Sequence, residues 1–512
     1  MEHAPIKEIC RLQENRYYGI DDISRILHCS SDVASQFIGH MKKNEVCKTG
    51  QKNEVSFRFV GLIEFSFLSD ANVSDVERRV VFIEPKFFPD DRPIKNEGLD
   101  LAQIIVLKAI LKYHKGQHIS LFSNGRLTSY EGCTTRLSTF LALIVDIMEK
   151  GVYQVPKVEF VVNGQGDVDW EETLATVVPV FLQDGPCYMS SINREIGYDD
   201  DTYISRLHSC LATECFAYFE EIGLAGSLGL YLETPYDGDL SDFGSESYQS
   251  FRIASELQSQ FVDDKKHTLR LMQAVLENKA YGADSLSFQS FGISGFHALW
   301  EKAIKEVLGD ELEKTPEQIG FEYDSASMDE SLKSKFNKPL KEFIDAPRWR
   351  VAGKDKEVEA KIKGETDGLK TDRLKPDFVA VSGKAFYILD AKYYTPKADN
   401  GSVLGAPGVG DIDKQLLYQL AYRDLIGNKK SVENAFLFPL YCDEGASDLK
   451  LKEFATVNVP VLQSAFRNGV KPEFKAYYLD GVSLLARYVY NEDDDENHTL
   501  LDGLFGRSMS EE

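Results

Sequence analysis

The sequence predicts a multidomain α/β protein. Three observations predict it. Runs rich in β-formers alternate with amphipathic helical stretches along the chain. The length of 512 residues is more than one hydrophobic core serves, so two to four domains are expected. Apolar content of 43% and charged content of 27% suit an ordinary globular chain. The balance of 58 Lys+Arg against 82 Asp+Glu leaves a net charge of −24. Taken as a whole, such a surface repels nucleic acid and anionic membranes, so a DNA-facing surface has to be local or supported by a basic partner.

The N-terminus, MEHAPIKEICRLQENRYYGIDD, has no apolar export segment. The longest apolar runs, such as LALIVDIM at 141–148, fall short of the ~18 residues a spanning helix needs. The eight cysteines are scattered and form no CxxC pair, so a reducing cytoplasm with no membrane partner is the expected setting. His208, Cys210 and Cys215 come nearest to a metal cluster and lack a fourth ligand in sequence.

Residues 1–60 read as short helices. Asp21-Asp22 can cap ISRILHC, and Ser30-Ser31-Asp32 opens a second helix with Val33, Phe37, Ile38 and Met41 at helical spacing. With the β-like VSFRFVGLIEFSFL behind them, they resemble a winged helix, which serves either DNA or protein contacts. RRVVFIEPKFF (78–88) reads as a strand and LDLAQIIVLKAILKYH (99–114) as an amphipathic helix. VPKVEFVVNGQGDVDWEETL (155–174) reads as strand, Gly turn and helix start, and 199–233 as helical. TPYDGDLSDFGSESYQS (234–250) reads as an acidic linker or mobile loop. From 285 to 490 the expected order is a helix (296–308), a polar stretch, a hairpin (377–394), a glycine-rich loop (400–410), a helix (411–426) and strands at 433–441 and 472–480. The acidic NEDDDEN (491–497) reads as solvated.

The most informative stretch is KPDFVAVSGKAFYILDAK, 375–392. DFVAV and AFYILDAKYY are β-rich and separated by Ser382-Gly383-Lys384, a hairpin turn. Strand period two puts Asp390 and Lys392 on one face, continued by Ile388 and Phe386, with Leu389, Ala391 and Tyr393 on the other. Asp377 can lie beside Asp390 across the hairpin. Two carboxylates and one ammonium therefore converge. Phosphodiester hydrolysis uses that set: the carboxylates supply oxygen ligands for Mg²⁺, and the lysine orients water or stabilises developing negative charge.

This pattern, P-D followed by D-x-K, resembles the PD-(D/E)xK nuclease superfamily. The helix FHALWEKAIKEVL carries an unbroken apolar stripe, with Glu301 at its edge. In that resemblance a first-helix glutamate completes the metal site, and Glu301 matches its place; the alternative is a solvated pair with Lys305. On DIDKQLLYQLAYRDLI, Gln415, Tyr418 or Gln419, and Tyr422 share one face. The resemblance gives Gln415 a place beside the site or the phosphate; the alternative is a polar outer face. The implied fold is a restriction-endonuclease-like αβββαβ core at the C-terminus, after the winged-helix-like and mixed α/β region.

FHALWEKAIKEVLG, KPDFV, FYILDAKYY and DIDKQLLYQLAY together look like LlaJI-type, McrC-like restriction subunits. NGQGDVDWEETL, the LHSC element at His208 and the FVGLI strand are similar to those subunits' N-terminal region. The resemblance implies a bacterial restriction or anti-phage nuclease subunit. Its reaction would be Mg²⁺-dependent cleavage of double-stranded DNA, with Mn²⁺ as a substitute. Its partner would be an McrB-like AAA+ GTPase motor that it stimulates. The implied division is 1–60, winged-helix-like; 61–200, partner-docking; 201–284, helical with an acidic linker; 285–490, nuclease; 491–512, acidic tail. Asp377, Asp390 and Glu301 would hold metal, Lys392 would act on water, and Gln415 would hold the site. Double-strand cleavage implies dimerised nuclease domains or paired complexes. The alternatives are a non-catalytic nuclease-fold adaptor and a stand-alone DNA repair nuclease.

GAPGVG (405–410) resembles a phosphate-binding loop, but its lysine position holds Asp411, which repels phosphate. It reads as a loop with Asp411 capping the next helix. Ser331–Lys375 holds 13 Lys+Arg against 8 Asp+Glu, including Arg348-Trp349-Arg350. That stretch is either a nucleic-acid surface or a solvated insertion.

Overall fold

The computed structural model describes residues 9–508 except 45, 52–53, 69–75, 91, 93–97, 122–135, 184, 281–287, 321–332, 351, 353–356, 360, 364–368, 372, 383–384, 427–430, 443–447, 463–471 and 491–496. The fold is mixed α/β, as the sequence predicts. Among the described residues no helix is long and apolar enough to cross a membrane.

The chain opens with β1 (Ile9–Gln13), β2 (Tyr17–Tyr18), α1 (Ile20–Leu27), α2 (Ser31–Lys43), β3 (Cys47–Thr49) and β4 (Val55–Phe57). Asp22 accepts the Gly19 N–H at the start of α1, and the Ser30 hydroxyl accepts from Val33 N at the start of α2. α2 buries Val33, Phe37, Ile38 and Met41, the face its periodicity marks. Beside the two helices, β2, β4 and β3 form an antiparallel sheet in that order.

A second sheet combines β1 with β5 (Val60–Leu68), β6 (Val76–Glu84) and, much later in sequence, β12 (Phe288–Ile293), in the order β1-β6-β5-β12. Its alternation separates two cores. Ile63, Phe65, Phe67, Val81 and Ile83 face α1 and α2, while Val60, Leu62, Val80 and Phe82 face the larger helical layer.

That layer contains α3 (Leu101–Leu121) and α4 (Arg136–Lys150). The chain then builds β7 (Val155–Val162), β8 (Asp167–Val168), α5 (Trp170–Thr176), β9 (Val180–Leu182), β10 (Gly185–Cys187) and β11 (Ile192–Asp199). β7, β11 and β8 make a small sheet, and β9 pairs with β10. The layer resumes with α6 (Tyr203–Glu221), α7 (Ala225–Leu228), α8 (Glu246–Ser259) and α9 (Asp263–Ala280). The expected acidic linker at 234–250 is instead packed. Phe243 is buried, and the Gln249 side-chain amide donates to Leu240 O and Gly244 O. Ser245 caps α8 through the Tyr248 N–H.

The C-terminal part begins with α10 (Phe296–Leu308), at the predicted boundaries. The insertion after it carries β13 (Arg348–Arg350), β14 (Glu357–Glu359), β15 (Lys361–Lys363) and β16 (Leu369–Thr371), paired as two hairpins. Then come β17 (Phe378–Val381), β18 (Ala385–Ala391), β19 (Lys397–Asp399), β20 (Ser402–Leu404), α11 (Val409–Ile426), β21 (Ser431–Leu440), β22 (Leu451–Asn458), β23 (Glu473–Asp480), α12 (Gly481–Tyr490) and α13 (Asn497–Ser508). The main sheet has the order β17-β18-β21-β23-β22. β18, β21 and β23 run parallel, so β18 needs a crossover to reach β21, and α11 supplies it. The sheet lies between two apolar layers. Phe378, Ala380, Tyr387 and Leu389 pack on the α10 side with Trp300 and Ile304, while Val379, Val381, Phe386 and Ile388 pack on Tyr418 and Tyr422 of α11.

Three expectations for this part are corrected. The loop at 400–410 holds the turn and the second strand of a hairpin: β19 and β20 are joined at Asn400 and Gly401, both at positive φ, and α11 begins at Val409. A further strand, β22, closes the sheet edge. Asn497–Ser508 is no tail: Leu501, Leu504 and Phe505 are buried, and Asp502 accepts from Ser382 Oγ and Tyr387 OH. The acidic run 491–496 and the hairpin turn at 383–384 lie outside the described residues.

Candidate active site

The β17–β18 hairpin sets the site. Its register places Phe378 opposite Leu389, so Asp377 stands opposite Asp390 one position further on. Asp377 Oδ2 accepts the Ala391 N–H at 3.1 Å. Asp390 is buried at 7% exposure. Burial, then the charge of Asp390, then Glu301 push the Asp377 carboxyl up to about 8, against the pull of Lys392. Two carboxylates held this close call for positive charge.

Lys392 supplies part of it. Its Nζ stands 2.9 Å from Asp390 Oδ2 and 3.3 Å from Asp411 Oδ1. Burial opposes the ammonium form, yet Asp390 and Asp411 outweigh it and hold Lys392 charged above its ordinary range. Apart from this ammonium, the buried Asp390 Oδ2 has no hydrogen-bond partner among the described residues. A hard cation fits there, because carboxylate oxygens are its preferred ligands.

Glu301 lies on the facing side of α10. Its carboxylate pairs with Lys305 one turn on and is about a third exposed. It is near enough to act on the Asp377 charge. Among the described residues no three His, Cys, Asp or Glu side chains gather as a metal-holding group. The structure thus brings Asp377, Asp390 and Lys392 together, and leaves Glu301 at the margin, bound to Lys305.

Gln415 is fully buried. Its amide nitrogen lies 3.1 Å from Ile388 O, 2.6 Å from Asn434 Oδ1 and 3.3 Å from Ala435 O. It ties α11 to β18 two residues before Asp390, and its Oε1 has no hydrogen-bond partner. The expected shared face exists and points inward: Tyr418 OH donates to Lys375 O, beside Pro376-Asp377, and Tyr422 OH donates to Leu340 O. On the other side of the hairpin, Asp310 Oδ1 accepts from Val379 N, and Glu311 Oε2 from Val381 N. These carboxylates cover the free edge of β17 and fix where Asp377 emerges.

Sequence reasoning missed Asp411 and Asp310. Asp411 reads as a helix cap, but it sits in the first turn of α11, after Val409, and meets Lys392. Asp310 follows the α10 C-terminus and its glycine, a position that reads as a loop. The other candidates are structural. His208 Nδ1 accepts the Tyr153 N–H at 3.0 Å, and Cys210 and Cys215 are buried on the same helix. The β13–β14 register sets Arg348 opposite Glu359 and Arg350 opposite Glu357.

A family model described as LlaJI restriction endonuclease matches residues 59–321 and 331–469. The Type II restriction enzyme BsuMI component YdjA of Bacillus subtilis (strain 168) is 30% identical over 301 residues, 56% of this chain and 55% of its own length. The chain thus spans about half the length of that curated relative. Among solved structures, a chain of the refined half-complex from the tetradecameric assembly of Thermococcus gammatolerans McrB AAA+ hexamers with bound McrC is similar at TM-score 0.38 and 12% identity, over 97% of this chain and 99% of that one. A chain of the cryo-EM structure of the Thermococcus gammatolerans McrBC complex is similar at TM-score 0.23 and 13% identity, over 60% of this chain and 88% of that one.

Proposed function

The chain belongs to the LlaJI restriction endonuclease family, and from that premise we propose that it is the DNA-cleaving subunit of a restriction system. Its reaction is hydrolysis of a DNA phosphodiester at a PD-(D/E)xK site. The observation that carries this reading is the opposition of Asp377 and Asp390 across one hairpin, with Lys392 on the same strand face 2.9 Å from Asp390.

Mg²⁺ fits the donor set, and Asp377 and Asp390 would hold it, with Glu301 able to approach. When bound, the ion polarises the phosphate and lowers the cost of forming a hydroxide nucleophile. The chain's own residues do the rest. Lys392 is charged and donor-rich, suited to hold the attacking water or to meet negative charge growing on the phosphate. Gln415 and Tyr418 fix the two strands that present the carboxylates, so the geometry is set before substrate arrives.

The finer reading is a McrC-like subunit with a separate McrB-like AAA+ GTPase that it stimulates. It rests on the motif resemblance and on one surface. Val158, Phe160, Val162, Trp170, Phe181 and Ile196, all on the small β7–β11 unit, are each more than half exposed. Exposed apolar side chains of this kind suit a protein-contact face, and they lie within the 61–200 region proposed for docking. The β2-α1-α2-β3-β4 order supports a winged-helix-like unit at 1–60, and the main sheet with α10 and α11 supports the restriction-endonuclease-like core.

The test is plasmid cleavage by the purified protein with its motor partner, GTP and Mg²⁺. Wild type is expected to linearise the plasmid and Asp390→Ala to leave it intact. Equal cleavage by the two proteins overturns the assignment. Partner-independent cleavage favours a repair nuclease, and absence of cleavage by either favours an adaptor.

A further inference from the structure

Lys392 stands between two carboxylates that reach it from different elements. Asp390 is two residues away near the end of β18, and Lys392 directly follows that strand, so backbone geometry fixes their proximity. Asp411 arrives from the first turn of α11, beyond the β19–β20 hairpin. The carbonyl of Gly408 accepts the N–H groups of both Asp411 and Ile412, which closes that turn through the backbone and leaves the Asp411 side chain facing Lys392 Nζ at 3.3 Å. The Asp411 side chain is also the wetter of the two acids, at 38% exposure against 10% for Asp390.

We propose that Asp411 is the positioning residue for Lys392, holding its ammonium clear of Asp390 when Asp390 takes a divalent cation. The proposal rests on the reading of Asp377 and Asp390 as cation ligands. An ammonium against Asp390 Oδ2 competes with a divalent cation for the same carboxylate, because like charges at contact distance repel. A lysine displaced from Asp390 needs another acceptor within the swing of its flexible stem. Asp411 is already within 3.3 Å, so a small rotation transfers the ammonium without removing it from the site. With Asp411 neutralised, the ammonium falls back on Asp390 and competes with the cation.

The experiment is a double-mutant cycle read by calorimetric titration of the full-length protein with Mn²⁺ alone, without DNA. Asp411→Asn is expected to weaken Mn²⁺ binding about fivefold to tenfold. Lys392→Ala is expected to bind Mn²⁺ at least as tightly as wild type. In the Lys392→Ala background, adding Asp411→Asn should change the Kd by less than about twofold, since the lysine through which Asp411 acts is gone. Asp411→Glu should restore most of the affinity. Far-UV circular dichroism checks each fold, and Asp411→Ser replaces Asn in the cycle if Asn unfolds. An unchanged Kd in Asp411→Asn overturns the proposal. So does equal weakening in both backgrounds, which means that Asp411 attracts the cation directly. Wild-type protein giving no Mn²⁺ heat overturns the cation reading itself, and the proposal with it.

Discussion

His208 accepts the Tyr153 N–H on Nδ1 inside the helical layer, so its ring is neutral with the proton on Nε2. Full burial, only partly offset by Asp146, lowers its pKa to about 4. The sign follows from linkage. The unfolded chain takes up a proton near the ordinary histidine value of about 6.5, and the folded chain does not until near 4. Stability is therefore unaffected above that range and falls as pH drops from about 6.5 to 4, by on the order of 3 kcal/mol. His208→Gln keeps an acceptor for Tyr153 N and should flatten that part of the slope, as measured by urea unfolding across pH 4–7. An identical slope in wild type and variant contradicts this account. The site residues were legible at the same scale wherever one rule of strand geometry sufficed. Asp377, Asp390 and Lys392 follow from period two and from pairing across a short turn. Asp411 does not, because its partner lies across a hairpin and a change of element. Nothing in local spacing links an acid in a helix's first turn to a lysine on the preceding strand.

At the scale of elements, the main sheet was readable because its strands split their side chains between two cores, which forces alternation. α10 and α11 were readable from long apolar or aromatic faces. What escaped were elements with little apolar content of their own. β22 is a half-exposed edge strand, and β19 and β20 are exposed three-residue strands. α13 follows an acidic run and anchors through only a few apolar side chains. Its position gives it weight despite its length. Phe505 packs at 5.2 Å from Tyr387 and 5.3 Å from Tyr477, ring to ring, and Asp502 accepts the hydroxyls of Ser382 and Tyr387. Truncation after residue 496 uncovers those rings and leaves two buried hydroxyls without their acceptor. The expected cost is about 3–5 kcal/mol, seen as a lowered thermal midpoint and aggregation. A truncated protein with the wild-type midpoint would show that the helix is dispensable.

At the scale of the whole molecule, one continuous apolar core runs from Val60 of β5 through the helical layer to Phe505 of α13. Polar contacts follow the same path. Tyr393, next to Lys392, donates to Glu14 Oε2 at 2.6 Å, and the Lys86 ammonium lies 4.2 Å from the Tyr393 ring centroid. The chain just beyond the strand that carries the candidate site thus packs against the N-terminal part. This arrangement bears on the net charge of −24. A protein that captures DNA unaided needs a broad positive face, and here the local excess is five charges within 331–375, with both β13 arginines set opposite glutamates. Neutralising at most about five phosphates gives a salt slope no steeper than about −4.5 in log–log form. The chain alone should therefore bind a short duplex weakly at physiological salt, with a Kd above about 10 µM and that shallow slope in fluorescence anisotropy. Weak binding is what a cleaving subunit requires if another subunit delivers the DNA, because it leaves the hairpin idle until loaded. A nanomolar Kd for the chain alone, or a slope near −10, would place a cationic DNA surface on this subunit and remove the reason for a delivering partner.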